Sequence, residues 1–210
     1  MSTDSLFYGE KFNALTHLVG AILALAGAVV LIVVASLAGD AWKIVGVSIY
    51  GATLVLLYSF STLYHSLRGH AKNVFRELDH HSIYLLIAGS YTPFCLVTLR
   101  GPWGWSLLGA VWGLAVLGNL LELKSRRGPR ILSVVVYVLM GWLVLAAVVP
   151  LLKALGFAGF VWVAAGGVLY TIGIVFYALD ARLAHAHGIW HIFVIAGSAS
   201  QYVAILQYVL

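Results

Sequence analysis

The segment HGIWH, residues 187–191, opens the last apolar stretch of the chain. On a helix, His187 and His191 stand one turn apart on one face, about 6 Å from each other. That spacing lets two imidazoles share one metal ion. A second segment, SFSTLYHSL, closes an earlier apolar stretch and sets Ser61 one turn before His65. A third, ELDHHSIYLL, leads into another apolar stretch and carries Asp79. Three imidazoles, one carboxylate and one hydroxyl suit Zn²⁺ with an open vertex. Zn²⁺ takes four ligands, so three histidines leave a fourth position for water, as in catalytic sites. Asp79 would accept the proton of that water, and Ser61 would hydrogen-bond it or donate to a developing oxyanion.

The elements that must position these groups follow from composition. Hydrophobic residues make up 62% of the chain and charged residues 9%, against roughly 25% charged in a soluble domain. This composition describes an integral membrane protein, one single domain over residues 1–210, whose apolar surface faces lipid. Seven apolar runs are each long enough to cross the hydrocarbon core as a helix, at about 14–37, 43–66, 82–99, 103–122, 131–152, 156–178 and 188–210. The fold class expected is therefore all-α, a bundle of seven transmembrane helices, with a kink at Pro93. The first dozen residues are polar and the first apolar run is too long for a signal sequence, so no cleavable leader is expected. The lone Cys95 excludes an internal disulfide and a cysteine-based zinc cluster.

Basic residues set the orientation. Lys11, Arg68, Lys72, Arg76, Lys124, Arg126, Arg127, Arg130 and Arg182 fall on the side of the N-terminus, and Lys43, Arg100 and Lys153 on the other. This bias puts the N-terminus in the cytoplasm and the C-terminus outside. The formal charge of +5 thus reports topology and does not call for nucleic acid. Trp42, Trp103, Trp105 and Trp162 suit an aromatic belt at the outer interface. With this topology Ser61, His65, Asp79, His187 and His191 reach one depth near the cytoplasmic face, where ionisable groups are costly and their convergence points to function.

Other polar groups have ordinary readings. A single HxxxH is a weak signal, and His187 alone would pass as interfacial. His80 and His81 are rival ligands, but neighbours point about 100° apart on a helix, so only one could face the centre; both are read as interfacial. His70 and His185 lie in basic loops and are read as solvated. His17 is either a supporting residue or a partner of Glu10. Glu122 is read as a helix-end charge. The small residues of Gly166-Gly167 and Gly197-Ser198 are read as serving close helix packing rather than a cavity.

At these residues the chain resembles a known family. Ser61–His65, the block LDHHSIYLLIAGSYTP with Asp79, the terminal His187–His191 pair and the N-terminal GEKFNALTHLVGA are similar, in order, to the bacterial hemolysin III branch of the progestin and adipoQ receptor (PAQR) family. The resemblance spans essentially the whole chain. It implies a seven-helix fold with the N-terminus inside, in the inner (plasma) membrane of a bacterium. It further implies zinc held by His65, His187 and His191, with Asp79 and Ser61 beside the water. The family's eukaryotic receptors are linked to hydrolysis of ceramide amides. No long N-terminal domain like theirs is expected here, so hormone binding is not expected to carry over. The activity expected is a zinc-dependent intramembrane hydrolase of a lipid amide or ester, ceramidase-like. The alternative is a zinc-stabilised membrane sensor or regulatory protein without catalysis. A transporter or pore fits less well, because no ring of charge or broken-helix pair marks a path through the outer half.

Overall fold

The computed structural model describes residues 4–124 and 131–210, and they are helical almost throughout, without a strand. The helices are α1 (Asp4–Ala38), α2 (Ala41–Ser66), α3 (Gly69–Pro93), α4 (Pro102–Lys124), α5 (Ile131–Trp142), α6 (Val148–Ala178) and α7 (Ala186–Tyr208). Arg126, Arg127 and Arg130, counted above for orientation, lie outside the described residues. Among the described residues, five stretches are long and apolar enough to cross a membrane: Gly9–Ala38, Ala41–Ser66, Pro102–Leu123, Ile131–Ala178 and Ala186–Tyr208. The bundle wears its apolar residues outside, with Leu37 84%, Phe157 77% and Ile131 71% exposed. Such a surface fits hydrocarbon and not water. The chain is a membrane-embedded bundle of long helices.

Each departure from regular helix has a local cause. Asp40 caps α2, its side chain accepting the Trp42 N–H at 2.8 Å. After Pro93, which denies α3 its next ladder bond, the chain runs through a π turn at Phe94–Thr98. Between α5 and α6 a 3₁₀ segment, Leu143–Ala147, breaks the helix, and Tyr91 stitches that break. Its hydroxyl donates to Met140 O or Gly141 O, each at 2.8 Å, and accepts from Val144 N–H at 3.0 Å. Inside Val148–Ala178 the backbone turns at Gly156 (φ 70, ψ 172), where two helices meet. An L side chain strains at that φ, so glycine marks the turn. The expected gap between 152 and 156 falls at this break. The apolar runs undercount helix at the N-terminal ends of α1 and α3, because helix there continues into polar sequence.

α1 packs on α2 and α7, α2 on α3, and α6 on α7. Tyr50, Leu31, Val111, Met140, Leu151 and Ile205 are fully enclosed. One end of the bundle gathers Trp42, Trp105 and Arg100: the two indoles meet at 5.6 Å and the guanidinium lies 4.8 Å from the Trp42 ring. The opposite end gathers Glu10, His65, Lys72, Asp180 and His187.

Candidate metal centre

His65 stands in the last turn of α2, and His187 and His191 in the first turns of α7. The chain enters α7 through His185, whose left-handed φ of 62 turns the backbone into the helix. His65 lies 5.0 Å from His187 and 5.2 Å from His191 between ring centroids, and the α7 pair is 4.7 Å apart. One ring nitrogen from each falls within 4.8 Å of the others, so the three could hold one metal ion.

The remaining ring nitrogens decide the tautomers. His65 Nδ1 faces Glu10 Oε2 at 2.5 Å, and His187 Nδ1 faces Asp180 Oδ2 at 3.0 Å. His191 Nδ1 faces the Asn13 carbonyl at 3.2 Å and Thr16 Oγ1 at 3.1 Å. The Thr16 hydroxyl gives its own proton to that carbonyl at 2.8 Å, so its oxygen is left to accept. Carboxylates and carbonyls only accept. Each imidazole therefore donates from Nδ1 and keeps a lone pair on Nε2. All three Nε2 atoms are buried and have no protein hydrogen-bond partner. Three convergent bare lone pairs, each ring aimed by an outer carboxylate or carbonyl, is the donor set a divalent metal of the zinc kind takes.

Asp79, on α3, is 5% exposed. It lines a cavity of 1070 Å³ together with His17 and His187. The cavity runs away from the histidines between apolar walls that include Ile83, Ile87, Val138 and Ile174. Ser61 is fully buried one turn deeper than His65, and its Oγ has no hydrogen-bond partner. The structure thus brings the three histidines together, sets Asp79 on the wall of a cavity that His187 also lines, and encloses Ser61 within the bundle.

Two expectations need correction, and of the two readings left open for His17 one is excluded. His17 does not pair with Glu10; its ring stacks on His191, 3.5 Å between centroids and 10° between planes. Glu10 goes to His65 and, through its other oxygen, to Lys72 at 2.9 Å. His80 is not interfacial: at 8% exposed it is buried against the cavity. His81 lies 2.7 Å from Asn119 Oδ1. Glu122 is more than a helix-end charge, since Oε2 accepts from Ser133 at 2.5 Å and from Tyr84 at 3.5 Å. His70 and His185 are exposed. Gly166 and Gly197 abut Gln201 and Tyr170 tightly, whereas Gly167 opens on the cavity.

Glu10, Thr16, Asp180 and the Asn13 carbonyl face the three rings, partners that reading the sequence did not assign. Glu10, Asn13 and His17 recur at i, i+3 and i+7, a polar stripe on an otherwise apolar helix that marks one inward face. Asp180 lies in the link before α7, and the His187 N–H beside it holds its carboxyl below the usual carboxylate range.

A lipid-facing helical bundle with a three-histidine pocket able to take a metal defines a class of polytopic membrane protein. This chain belongs to the haemolysin III family, whose model, described as "Haemolysin-III related", matches residues 7–202. It is 46% identical over 203 residues to "Hemolysin-3" of Bacillus cereus, covering 96% of this chain and 92% of that one. It is 42% identical to the "Hemolysin-3 homolog" of Bacillus subtilis (strain 168), covering 95% and 93%. A more distant relative is the human "Monocyte to macrophage differentiation factor", 28% identical over 96% of this chain and 84% of that one.

Proposed function

We propose that this protein is a zinc-dependent intramembrane hydrolase of a lipid amide or ester. The observation that supports the reading is a trio of buried, bare Nε2 atoms, one of whose rings, His187, lines a large apolar cavity together with the buried carboxylate of Asp79. A hydrocarbon tail gains about 0.8 kcal/mol per CH₂ moved from water to such walls, but nothing on leaving lipid. The walls therefore select an amphiphile by shape, and the polar groups select by its headgroup.

His65, His187 and His191 would hold the ion through Nε2. Zinc, when bound, supplies a Lewis acid that polarises a carbonyl and acidifies water. Asp79 takes a proton from the attacking water and returns it to the leaving amine or alkoxide as the C–N or C–O bond breaks. The products are a carboxylic acid and an amine or alcohol. Ser61 donates a hydrogen bond on the side of the developing oxyanion. The cavity walls exclude bulk water, so each of these hydrogen bonds acts in a low-dielectric medium.

The same reading has residues 1–210 as one domain of seven spans in the bacterial inner (plasma) membrane, N-terminus inside. The Ile131–Ala178 stretch is long enough for two of these spans: 48 residues of helix reach about 72 Å, more than twice the hydrocarbon thickness of about 30 Å. The Gly156 break divides it. From Trp42 to His65 the helix rises about 35 Å, which sets the histidines at one membrane face when the indole is at the other. A reporter fused to the C-terminus should read as external; a cytoplasmic signal refutes the orientation.

The catalytic test compares zinc-loaded wild type with Asp79→Asn on a panel of long-chain amides and esters. Wild type should turn over at least one of them. Asp79→Asn should bind zinc as wild type does and lose about 10²–10⁴ in rate. Absence of hydrolysis across the panel removes the enzymatic reading.

A further inference from the structure

From the geometry of α1 we infer that its segment Glu10–Thr16 is the clamp that orders the metal centre, although it supplies no ligand. The inference rests on the metal reading above and extends it to residues outside the ligand set. Two of the three imidazoles take their Nδ1 partner from this one segment: His65 from the Glu10 carboxylate, His191 from the Asn13 carbonyl and Thr16 hydroxyl. Those two histidines come from different helices, α2 and α7. α1 therefore bridges the elements whose rings must converge, and it fixes both tautomers at once. The clamp is itself tied down. Lys72, on α3, donates to Glu10 Oε1 at 2.9 Å and to the Tyr64 carbonyl at 3.1 Å.

Gly188, between the two α7 histidines, is what lets α1 come this close. A Cβ there would stand 2.2 Å from the Phe12 ring and 2.9 Å from Asn13 Oδ1. A side chain at residue 188 must push the Phe12 ring and the Asn13 amide aside or move α1 off α7, and either disturbs the segment whose Asn13 carbonyl faces His191. Glycine in HGIWH is thus part of the centre: two ligands with a gap between them for the clamp.

Linkage makes the claim reciprocal. If the docked clamp raises metal affinity, bound metal must hold the clamp docked by the same factor. Glu10, Thr16 and Gly188 are positioning residues, and their effect falls on affinity and tautomer.

The test uses the full-length protein in detergent and zinc as the probe, with affinity read by chelator competition. Wild type is compared with His191→Ala, Glu10→Ala, Thr16→Val and Gly188→Ala. Glu10→Ala and Gly188→Ala should each weaken zinc binding about 10- to 100-fold, and Thr16→Val by less, since the Asn13 carbonyl remains. Zinc should slow amide exchange in residues 9–16 of wild type, and do so less in Glu10→Ala. Glu10→Gln, which keeps an acceptor, should recover part of the affinity, and Glu10→Met, which keeps the volume without one, should recover none, a difference that loss of packing would not give. Gly188→Ala could fail to fold, and Glu10→Ala, at a half-buried site, then carries the test. If wild type binds zinc no better than His191→Ala, the metal reading falls and the clamp with it. If wild type binds well but Glu10→Ala lies within twofold of it, or zinc leaves exchange in 9–16 unchanged, the clamp alone is overturned.

Discussion

Ser198 is the junction that fixes how α7 sits against its neighbours, and removing its hydroxyl tests the packing that aims the histidines. Tyr58 of α2 donates to Ser198 Oγ at 2.8 Å, and the Tyr170 hydroxyl of α6 shares a 2.8 Å bond with the same atom. Tyr50 donates to the Ser198 carbonyl at 3.0 Å. In Ser198→Ala both side-chain bonds go, with almost no change in volume. Side-chain hydrogen bonds inside membrane bundles are worth about 0.6 kcal/mol on average and up to about 1.7, and stranding a buried hydroxyl adds to that. Tyr58 keeps a fallback in the Val194 carbonyl at 3.4 Å, whereas Tyr170 has no second partner among the described residues. The expected loss is about 2 kcal/mol, near 1 for each tyrosine. The assay is reversible unfolding in mixed micelles at fixed zinc, run as a cycle with Tyr170→Phe. Alone, Tyr170→Phe should cost about 1 kcal/mol; in the Ser198→Ala background it should cost close to nothing, since no bond remains to lose. Equal cost in both backgrounds refutes the junction.

Three further outcomes follow from particular contacts. Gly118→Ala sets a Cβ 2.2 Å from the Tyr84 ring, so it should destabilise the α3–α4 pair by about 1–3 kcal/mol, read from the same unfolding titration. Gly167→Phe extends a ring into the cavity from a position with nothing within 4 Å; binding of a long-chain fluorescent amphiphile should weaken at least tenfold while the unfolding midpoint barely moves. Asp180 has a depressed pKa caused first by its His187 hydrogen bond. Its increment is therefore present above the ordinary carboxylate range and lost as pH falls through the lowered value. Because the side chain is 48% exposed, that increment stays under about 0.5 kcal/mol. Wild type and Asp180→Asn should differ by a small amount near neutral pH and converge once pH falls below the lowered carboxyl value; a gap that persists there contradicts the pairing.

What the sequence made legible was what repeats along one helix. His187 and His191 share a face by spacing alone, Ser61 and His65 likewise, and the apolar runs separate at Asp40, at the Arg100–Pro102 link and at Gly156 because chain reversal needs such residues. What lay hidden depends on neighbours across the bundle. The Asn13 carbonyl that orders His191 has no side-chain signature at all. Glu10 was visible as a charge near a membrane helix, but its choice of His65 over His17 is set by the angle at which α1 crosses α2. The cavity was illegible for a related reason. The residues lining it, such as Ile87 and Val138, are of the same types that face lipid, so inward and outward surfaces read alike in a membrane helix. His80 was misjudged for that reason as well, since the start of an apolar run does not say which face turns inward.

The bare Nε2 atoms also have an energetic consequence. A buried acceptor without a partner costs about 1–3 kcal/mol, and His65, His187 and His191 each carry one. A bound cation would satisfy all three at once and would so couple folding to metal occupancy. The increment should follow mass action: about 2.7 kcal/mol at zinc one hundred times its dissociation constant, and about 4.1 at one thousand times. Unfolding midpoints taken across a zinc titration should therefore rise linearly with the logarithm of free zinc once the site is filled. Magnesium, which prefers oxygen ligands, should leave them unmoved. In His191→Ala the slope should vanish, because two imidazoles from separate helices hold zinc weakly. A zinc-dependent rise of equal size in His191→Ala would place the stabilising ion elsewhere on the chain, and the three-histidine centre would lose its claim to it.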